Sequence, residues 1–150
     1  MLDLAQLSDA DLYRELVAAK AASAPDLLRD PATLAHGLDP RYQPRPHLRL
    51  VSQALAELER GEYDRLLVTT PPQVGKSYIT SEWFPLWWLL LHPMDRVVVG
   101  SYADSLAHRR GKRVRALIEE HGHEFDLHLQ YGSTSVQDWG TTAGGGMRSV

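Results

Sequence analysis

A short apolar segment that runs directly into a Gly-Lys-Ser triplet constrains the fold more than any other feature of this sequence. Residues 65–70 (RLLVTT) are rich in apolar and β-branched residues, which is typical of a strand buried on both faces in a parallel sheet. The loop PPQVGKS follows, and a helical pattern begins at Tyr78. A loop of this kind between a strand and a helix predicts a phosphate-binding loop, or P-loop.

The chemistry of such a loop assigns a role to each of its last residues. Gly75 lets the backbone turn without a Cβ, so that successive N–H groups converge on phosphate oxygens. Lys76 is expected to reach the β- and γ-phosphates of a nucleotide and to act in catalysis, and the Ser77 hydroxyl is expected to bind Mg²⁺. Thr70 stands where the usual motif has its first glycine, and the alternative is an ordinary turn that contains Gly-Lys-Ser by chance. The predicted nucleotide-binding residues are Thr70, Pro71, Pro72, Gln73, Val74, Gly75, Lys76 and Ser77.

The rest of the chain predicts an α/β fold with right-handed crossovers. Apolar residues recur at helical spacing over 48–58, residues 96–100 (RVVVG) predict a second buried strand, and 101–122 predict another helix. The proline-rich residues 25–46 favour short helical turns and loops, after an amphipathic helix at 8–22. In the tail, alternation of apolar and polar residues over 125–130 predicts strands or hairpins.

Composition excludes several classes of protein. The 16 Lys and Arg against 19 Asp and Glu give a net charge of −3, so any contact with DNA must come from a local patch. The absence of cysteine excludes a disulfide framework and a thiolate zinc site. The apolar run 83–91 contains Pro85 and is shorter than the roughly 20 residues that span a bilayer, so we expect a buried helix. The acidic residues near the start are unlike an export signal, and we expect a cytoplasmic protein without a membrane partner.

One helix carries a basic run, HRRGKRVR, at residues 108–115. Four of its cations are predicted to project away from the apolar side, as a solvated face or as a contact with a phosphate backbone or a partner: Arg109, Lys112, Arg113 and Arg115. Arg110 instead falls in the middle of the apolar side, where an unpaired charge is costly. It needs a carboxylate, as in a buried ion pair, or a phosphate.

Three weaker patterns each have an ordinary structural alternative. Histidines at 121, 123 and 128 could suggest a metal site, although they lack a matching set of carboxylates or thiolates, so a structural or solvent-exposed role is favoured. Tryptophans at 83, 87 and 88 have helical spacing, which indicates core packing more often than base stacking. Tyr42 and Gln43 lie upstream of the loop where adenine could be gripped, and a loop role is the alternative.

The segment TTPPQVGKS closely resembles the TPP-x-x-GKS loop of the large terminase subunits, the motors that pump viral DNA into procapsids. Upstream, PHLRLVSQALAELERGEYDRLLV resembles the helix and strand that lead into that loop. Downstream, WFPLWWLLLHP and VVVGSYADSLAHRRGKRVRALIEEHG resemble the next helix, strand and helix, and Trp139 with GGGMRSV resembles the stretch before the Walker B strand. The resemblance covers about residues 46–150.

The resemblance implies that residues 46–150 are the N-terminal part of an ASCE-type P-loop ATPase domain, a parallel sheet with flanking helices, after a helical lead-in at 1–45. It implies ATP and Mg²⁺ as cofactors and packaging of double-stranded DNA as the activity. It also implies a small terminase subunit and a portal or procapsid as partners, and a ring-shaped oligomer in the host cytoplasm. The sheet order of the family places further strands between the two that are recognised here. The Walker B carboxylate and the nuclease domain are not found in this sequence, so we expect it to bind ATP and to hydrolyse it poorly.

One departure from the family concerns catalysis. Many relatives have an arginine inside the loop, proposed to stabilise charge in the transition state, at the position of Gln73. We expect Arg110 to be a second catalytic candidate that compensates for Gln73. The alternatives are a helicase-like P-loop translocase and a non-hydrolysing module that binds DNA or a protein.

Overall fold

The computed structural model describes residues 26–132 and 135–150, which form four α-helices of eight residues or more and one small sheet. The helices are α1 (Pro31–Leu38), α2 (Pro46–Glu59), α3 (Phe84–Leu91) and α4 (Asp104–His121). The sequence predicted the α/β class, and α2 and α4 fall where it placed helices. The helix predicted at 8–22 lies outside the described residues.

The helix α1 is fixed by a buried polar network at its start. The Asp30 carboxylate accepts hydrogen bonds from the backbone N–H groups of Ala32 and Thr33, which caps the helix. Ser52 of α2 is fully buried, and its hydroxyl donates to Asp30 at 2.5 Å and accepts from the Ala32 N–H at 2.7 Å. The network ties α1 to α2, so the described end of the 1–45 segment shares a core with the residues that follow.

A continuous helical stretch begins at the end of the predicted P-loop. It consists of one α-helical turn (Lys76–Tyr78), a π-helical segment (Ile79–Trp83) and α3. The wide turn is shown by the Phe84 N–H, which donates to the Ile79 carbonyl five residues back. Pro85 lies just after the π-helical segment and has no N–H to donate to the preceding turn. Among the described residues, no helix has the length and apolar character needed to cross a membrane.

The core lies between this stretch, α4 and the sheet. Trp83, Leu86 and Trp87 are almost completely buried, and Trp87 Nε1 donates to the Leu28 carbonyl at 2.8 Å. The core-packing interpretation is therefore confirmed for Trp83 and Trp87. Trp88 is only half-buried, and its Nε1 donates to Asp95 at 3.1 Å.

The sheet contains three strands in the order β1-β3-β2 and is mixed, not parallel as predicted. The strands are β1 (Arg96–Val99), β2 (Asp138–Gly140) and β3 (Gly146–Ser149). β1 pairs with β3 in parallel, through a connection that contains α4. β2 and β3 are antiparallel because only a short glycine-containing turn joins them. The strand β1 was predicted, but the prediction that it is buried is wrong, because its residues are exposed or half-buried and Val98 is 62% exposed. Strands or hairpins were predicted in the tail at 125–130, whereas the observed hairpin is formed by β2 and β3.

Two predicted strands are wrong in the described structure. Residues 65–70 have no regular secondary structure and form no ladder with any described strand, and Leu67 is 92% exposed. The apolar pattern of such a segment reports a tendency to be buried, whereas a strand also needs a neighbour with which to pair. In the tail, residues Gly122–Phe125 form a 3-10 helix, and only Leu129 bridges to Thr141.

Candidate phosphate-binding site

The loop at residues 70–77 turns through two residues with left-handed backbone conformations. Gln73 has φ of 60°, and Gly75 has φ of 91° and is the N-cap of the turn Lys76–Tyr78. A Cβ on Gly75 would lie 3.1 Å from Leu48 Cδ1. Glycine is therefore favoured at this position by the backbone conformation, and a Cβ there would also require the Leu48 side chain to shift slightly. This local geometry is the one that the Gly-Lys-Ser pattern predicts.

The backbone of the loop presents donors that the protein itself does not use. In the described part of the chain, the N–H groups of Gly75, Lys76 and Ser77 have no acceptor, as is usual at the start of a helix. The Gly75 carbonyl accepts from the Tyr78 N–H at 3.1 Å, which closes the first turn. Unpaired N–H groups at a helix start form a natural site for an anion.

The loop borders an open cleft of about 590 Å³. Seven of the eight predicted nucleotide-binding residues line it, together with Tyr78 and Arg110: Thr70, Pro71, Pro72, Gln73, Gly75, Lys76 and Ser77. Val74 is the exception. Its carbonyl accepts a hydrogen bond from His47 Nε2 of α2 at 3.0 Å. The Thr70 hydroxyl is buried and has no hydrogen-bond partner among the described residues.

Arg110 reaches the same cleft from α4, and its carboxylate partner is Glu82. The Arg110 guanidinium donates from Nη1 to Glu82 Oε1, and Arg113 Nε lies 3.9 Å from Glu82 Oε2. Glu82 is buried in the π-helical segment. The sequence predicted that Arg110 needs a carboxylate or a phosphate. The structure provides the carboxylate, and Arg110 also lines the cleft beside the loop, 34 residues from Lys76 in sequence.

The other cations of α4 divide into two groups. Arg109 and Lys112 are exposed, as predicted. Arg113 is half-buried beside Glu82, and Arg115 donates to the Ser135 carbonyl at 3.1 Å and pairs with Glu119 at 3.2 Å. Arg109 and Lys112 therefore agree with the predicted solvated face, whereas Arg113 and Arg115 have contacts within the chain that the helical pattern did not predict.

Tyr42 packs behind the loop. Its ring centroid lies 5.0 Å from that of Tyr78, and its buried hydroxyl has no hydrogen-bond partner within the described residues. Burial raises the pKa of Tyr42 to about 12. Gln43 is exposed, and its side chain donates to the Pro40 carbonyl at 3.2 Å. Contact of Tyr42 or Gln43 with adenine stays a prediction.

A second cleft, of about 470 Å³, lies between α1 and α2 and contains three arginines. Arg29 pairs with Asp30 at 3.3 Å, Arg60 pairs with Glu62 at 2.8 Å, and Arg49 Nε donates to the Pro44 carbonyl at 3.2 Å. Because each of these cations already has a partner, this cleft is a weaker site for phosphate than the loop.

The donor set of the loop fits a magnesium nucleotide better than a free metal ion. Among residues 26–132 and 135–150, no group of three or more His, Cys, Asp or Glu residues is arranged to hold a metal. His121 lies 3.2 Å from Glu124, and His128 lies 3.4 Å from Asp126. Magnesium commonly takes one or two protein oxygens and completes its shell with phosphates and water. The Ser77 hydroxyl, exposed in the cleft, is suited to that role.

Sequence reasoning missed two residues of this site. His47 was noted only as the start of a helix, and Glu82 was not singled out. Glu82 had a weak signal, since it is an acid directly before the apolar run 83–91. His47 had none, because its contact with Val74 spans 27 residues. Comparison of the chain with models of protein families, with curated proteins and with solved structures finds no match.

Proposed function

We propose that this chain is the ATP-binding part of a DNA-packaging ATPase of the large terminase type. The observation that carries the proposal is the cleft in which Lys76, Ser77 and Arg110 meet a left-handed Gly75. One opening is lined by two cations, a hydroxyl and unpaired N–H groups. These groups match the negative charge and the phosphate oxygens of a nucleoside triphosphate. The sequence resemblance supplies the class of motor.

Each group in the cleft has a task in this proposal. The N–H groups of Gly75, Lys76 and Ser77 bind phosphate oxygens, and the Lys76 ammonium neutralises the outer phosphates. The Ser77 hydroxyl would hold magnesium, which would supply positive charge to offset that of the phosphates.

Arg110 supplies the positive charge that Gln73 lacks. Its guanidinium is held at the cleft by Glu82, so it faces the phosphates without having to be ordered during the reaction. In this role Arg110 stabilises the charge that develops on the transferred phosphoryl group. Unchanged ATP turnover in an Arg110→Ala variant of the full-length protein would contradict it.

Hydrolysis further needs a carboxylate that positions the attacking water. In the proposed motor this carboxylate ends a later strand, as in the family that the sequence resembles. Loop movements after hydrolysis then shift a surface that grips double-stranded DNA. The proposed partners are therefore DNA, a small terminase subunit and the portal of a procapsid, in a ring assembled in the host cytoplasm.

The test is binding of MgATP to the chain, measured by calorimetry. A charge-assisted contact is worth about 1.5–3 kcal/mol, so we expect Lys76→Ala to weaken binding by about 10- to 100-fold. Lys112→Ala is the matched control, because it removes one exposed cation of α4 that does not line the cleft. Equal affinity of the Lys76→Ala variant and the unmodified chain would refute the proposal and leave a non-nucleotide binding module as the better interpretation.

A further inference from the structure

We propose that His47 is a positioning residue for the phosphate site: it holds the Val74 carbonyl so that the Gly75 N–H faces the ligand. This inference rests on the proposed function, since it concerns the same loop. It adds a residue that touches neither nucleotide nor magnesium. The observation that supports the proposal is the hydrogen bond of 3.0 Å between His47 Nε2 and the Val74 carbonyl oxygen.

The direction of this hydrogen bond fixes the state of the imidazole. A carbonyl oxygen only accepts, so His47 Nε2 must carry the proton. Nε2 is protonated both in one neutral tautomer and in the imidazolium ion. The contact therefore requires the Nε2–H form and excludes the Nδ1–H tautomer.

Planarity of the peptide bond transmits this contact to the next residue. No cis peptide is present among the described residues, and in a trans peptide the C=O and N–H groups point in opposite directions. With the Val74 carbonyl turned toward α2, the Gly75 N–H is turned away from α2. Gly75 lines the cleft, whereas Val74 and His47 do not. The N–H is thus presented on the side where phosphate would bind.

The anchor matters because the peptide unit between Val74 and Gly75 makes no other hydrogen bond among the described residues. Glycine rotates freely at φ, so the peptide between Val74 and Gly75 could flip if its carbonyl had no partner. A flip would exchange the donor in the cleft for a carbonyl oxygen and repel phosphate. Leu48, the next residue of α2, packs beneath Gly75, where an added Cβ would approach to 3.1 Å. Consecutive residues at the start of α2 therefore support the loop from below.

The experiment compares His47→Gln with His47→Leu in the chain of residues 1–150. Glutamine offers an amide N–H at a reach similar to that of Nε2, whereas leucine fills space without donating. We expect His47→Leu to weaken the binding of MgATP and of magnesium pyrophosphate by about 3- to 10-fold each. The affinities of His47→Gln should stay within about twofold of those of the original chain. Similar losses for both probes place the effect at the phosphates and not at the base.

Two outcomes overturn the inference. The first is an MgATP affinity of His47→Leu equal to that of the original chain. The second is an equal loss of affinity in His47→Gln and His47→Leu, which would indicate that His47 acts through packing. Lys76→Ala, measured beside them, separates the two proposals. If Lys76→Ala binds MgATP with normal affinity, the proposed function is refuted. If Lys76→Ala loses affinity for MgATP while His47→Leu binds it normally, only the role of His47 is refuted.

A second measurement needs no variant. Nitrogen-15 NMR of the histidine side chains distinguishes the neutral tautomers, and we expect His47 to carry its proton on Nε2. Observation of the Nδ1–H tautomer as the populated form would overturn the inference, even if His47→Leu fails to fold.

Discussion

The ion pair between Glu82 and Arg110 permits a quantitative test of how firmly Arg110 is held at the cleft. The Glu82 side chain is 7% exposed and that of Arg110 is 30% exposed. Removing one partner of a fully buried pair costs about 3–5 kcal/mol, whereas exposed pairs contribute about 0–1 kcal/mol. Arg110 is partly solvated, and Arg113 remains 3.9 Å from the carboxylate when Arg110 is removed. We therefore expect a coupling energy of about 1–2 kcal/mol between Glu82 and Arg110.

The assay is a double-mutant cycle on the free energy of unfolding in urea. It compares the original chain with Glu82→Gln, Arg110→Gln and the double variant. Arg110→Gln alone should be the least stable, because it leaves the buried Glu82 carboxylate with only a distant cation. The double variant should recover part of that loss, since no uncompensated charge stays buried.

The matched control is the pair of Arg115 with Glu119 on the same helix. It has i,i+4 spacing and a Glu119 side chain that is 54% exposed, so we expect a coupling of about 0.3–0.5 kcal/mol. A coupling for Glu82 and Arg110 no larger than this control would refute the reasoning. It would mean that Arg110 is a surface cation that happens to lie beside the loop.

Two further predictions concern titratable groups. Burial alone raises the pKa of Asp30, but hydrogen bonds from Ser52 and Thr33 outweigh it and lower the pKa below the usual value. The carboxylate thus stabilises the fold above about pH 4 and loses this effect as the pH falls through its lowered pKa. We therefore expect the difference in free energy of unfolding between the original chain and Asp30→Asn to become smaller as the pH is lowered, measured by urea unfolding at a series of acidic pH values. The pKa of Tyr42, about 12, predicts a late step in a titration of absorbance at 295 nm that Tyr42→Phe removes. Because the Tyr42 hydroxyl lacks a partner among the described residues, this variant should lose less than about 0.5 kcal/mol of stability.

Local patterns predicted the parts of the fold that depend on one segment at a time. The start of β1, the helices α2 and α4, and the inward position of Arg110 all follow from periodicity, because burial of one helix face or strand repeats along the chain. The turn at Gly75 follows from a residue type that tolerates positive φ. These features need no knowledge of which elements are neighbours.

Pairing and long-range contacts could not be predicted in this way. Residues 65–70 have the composition of a strand, but composition does not provide the adjacent strand, and none is found among the described residues. The mixed sheet depends on the return of β3 beside β1, about 50 residues later. The hydrogen bond from His47 to Val74 joins two segments with no shared pattern. The site was therefore predictable in its loop and not in the groups that support the loop.

The π-helical segment Ile79–Trp83 gives the chain one place where its length can change. A turn closed by an i→i+5 bond contains one residue more than an α-helical turn, so loss of a single residue there would return the stretch to regular α-helix. The parts of the helical stretch on either side of the segment, at Lys76 and at the buried Trp87, would keep their relative rotation about the helix axis. Only the side chains within the turn would be redirected, and Glu82 would leave its position opposite Arg110.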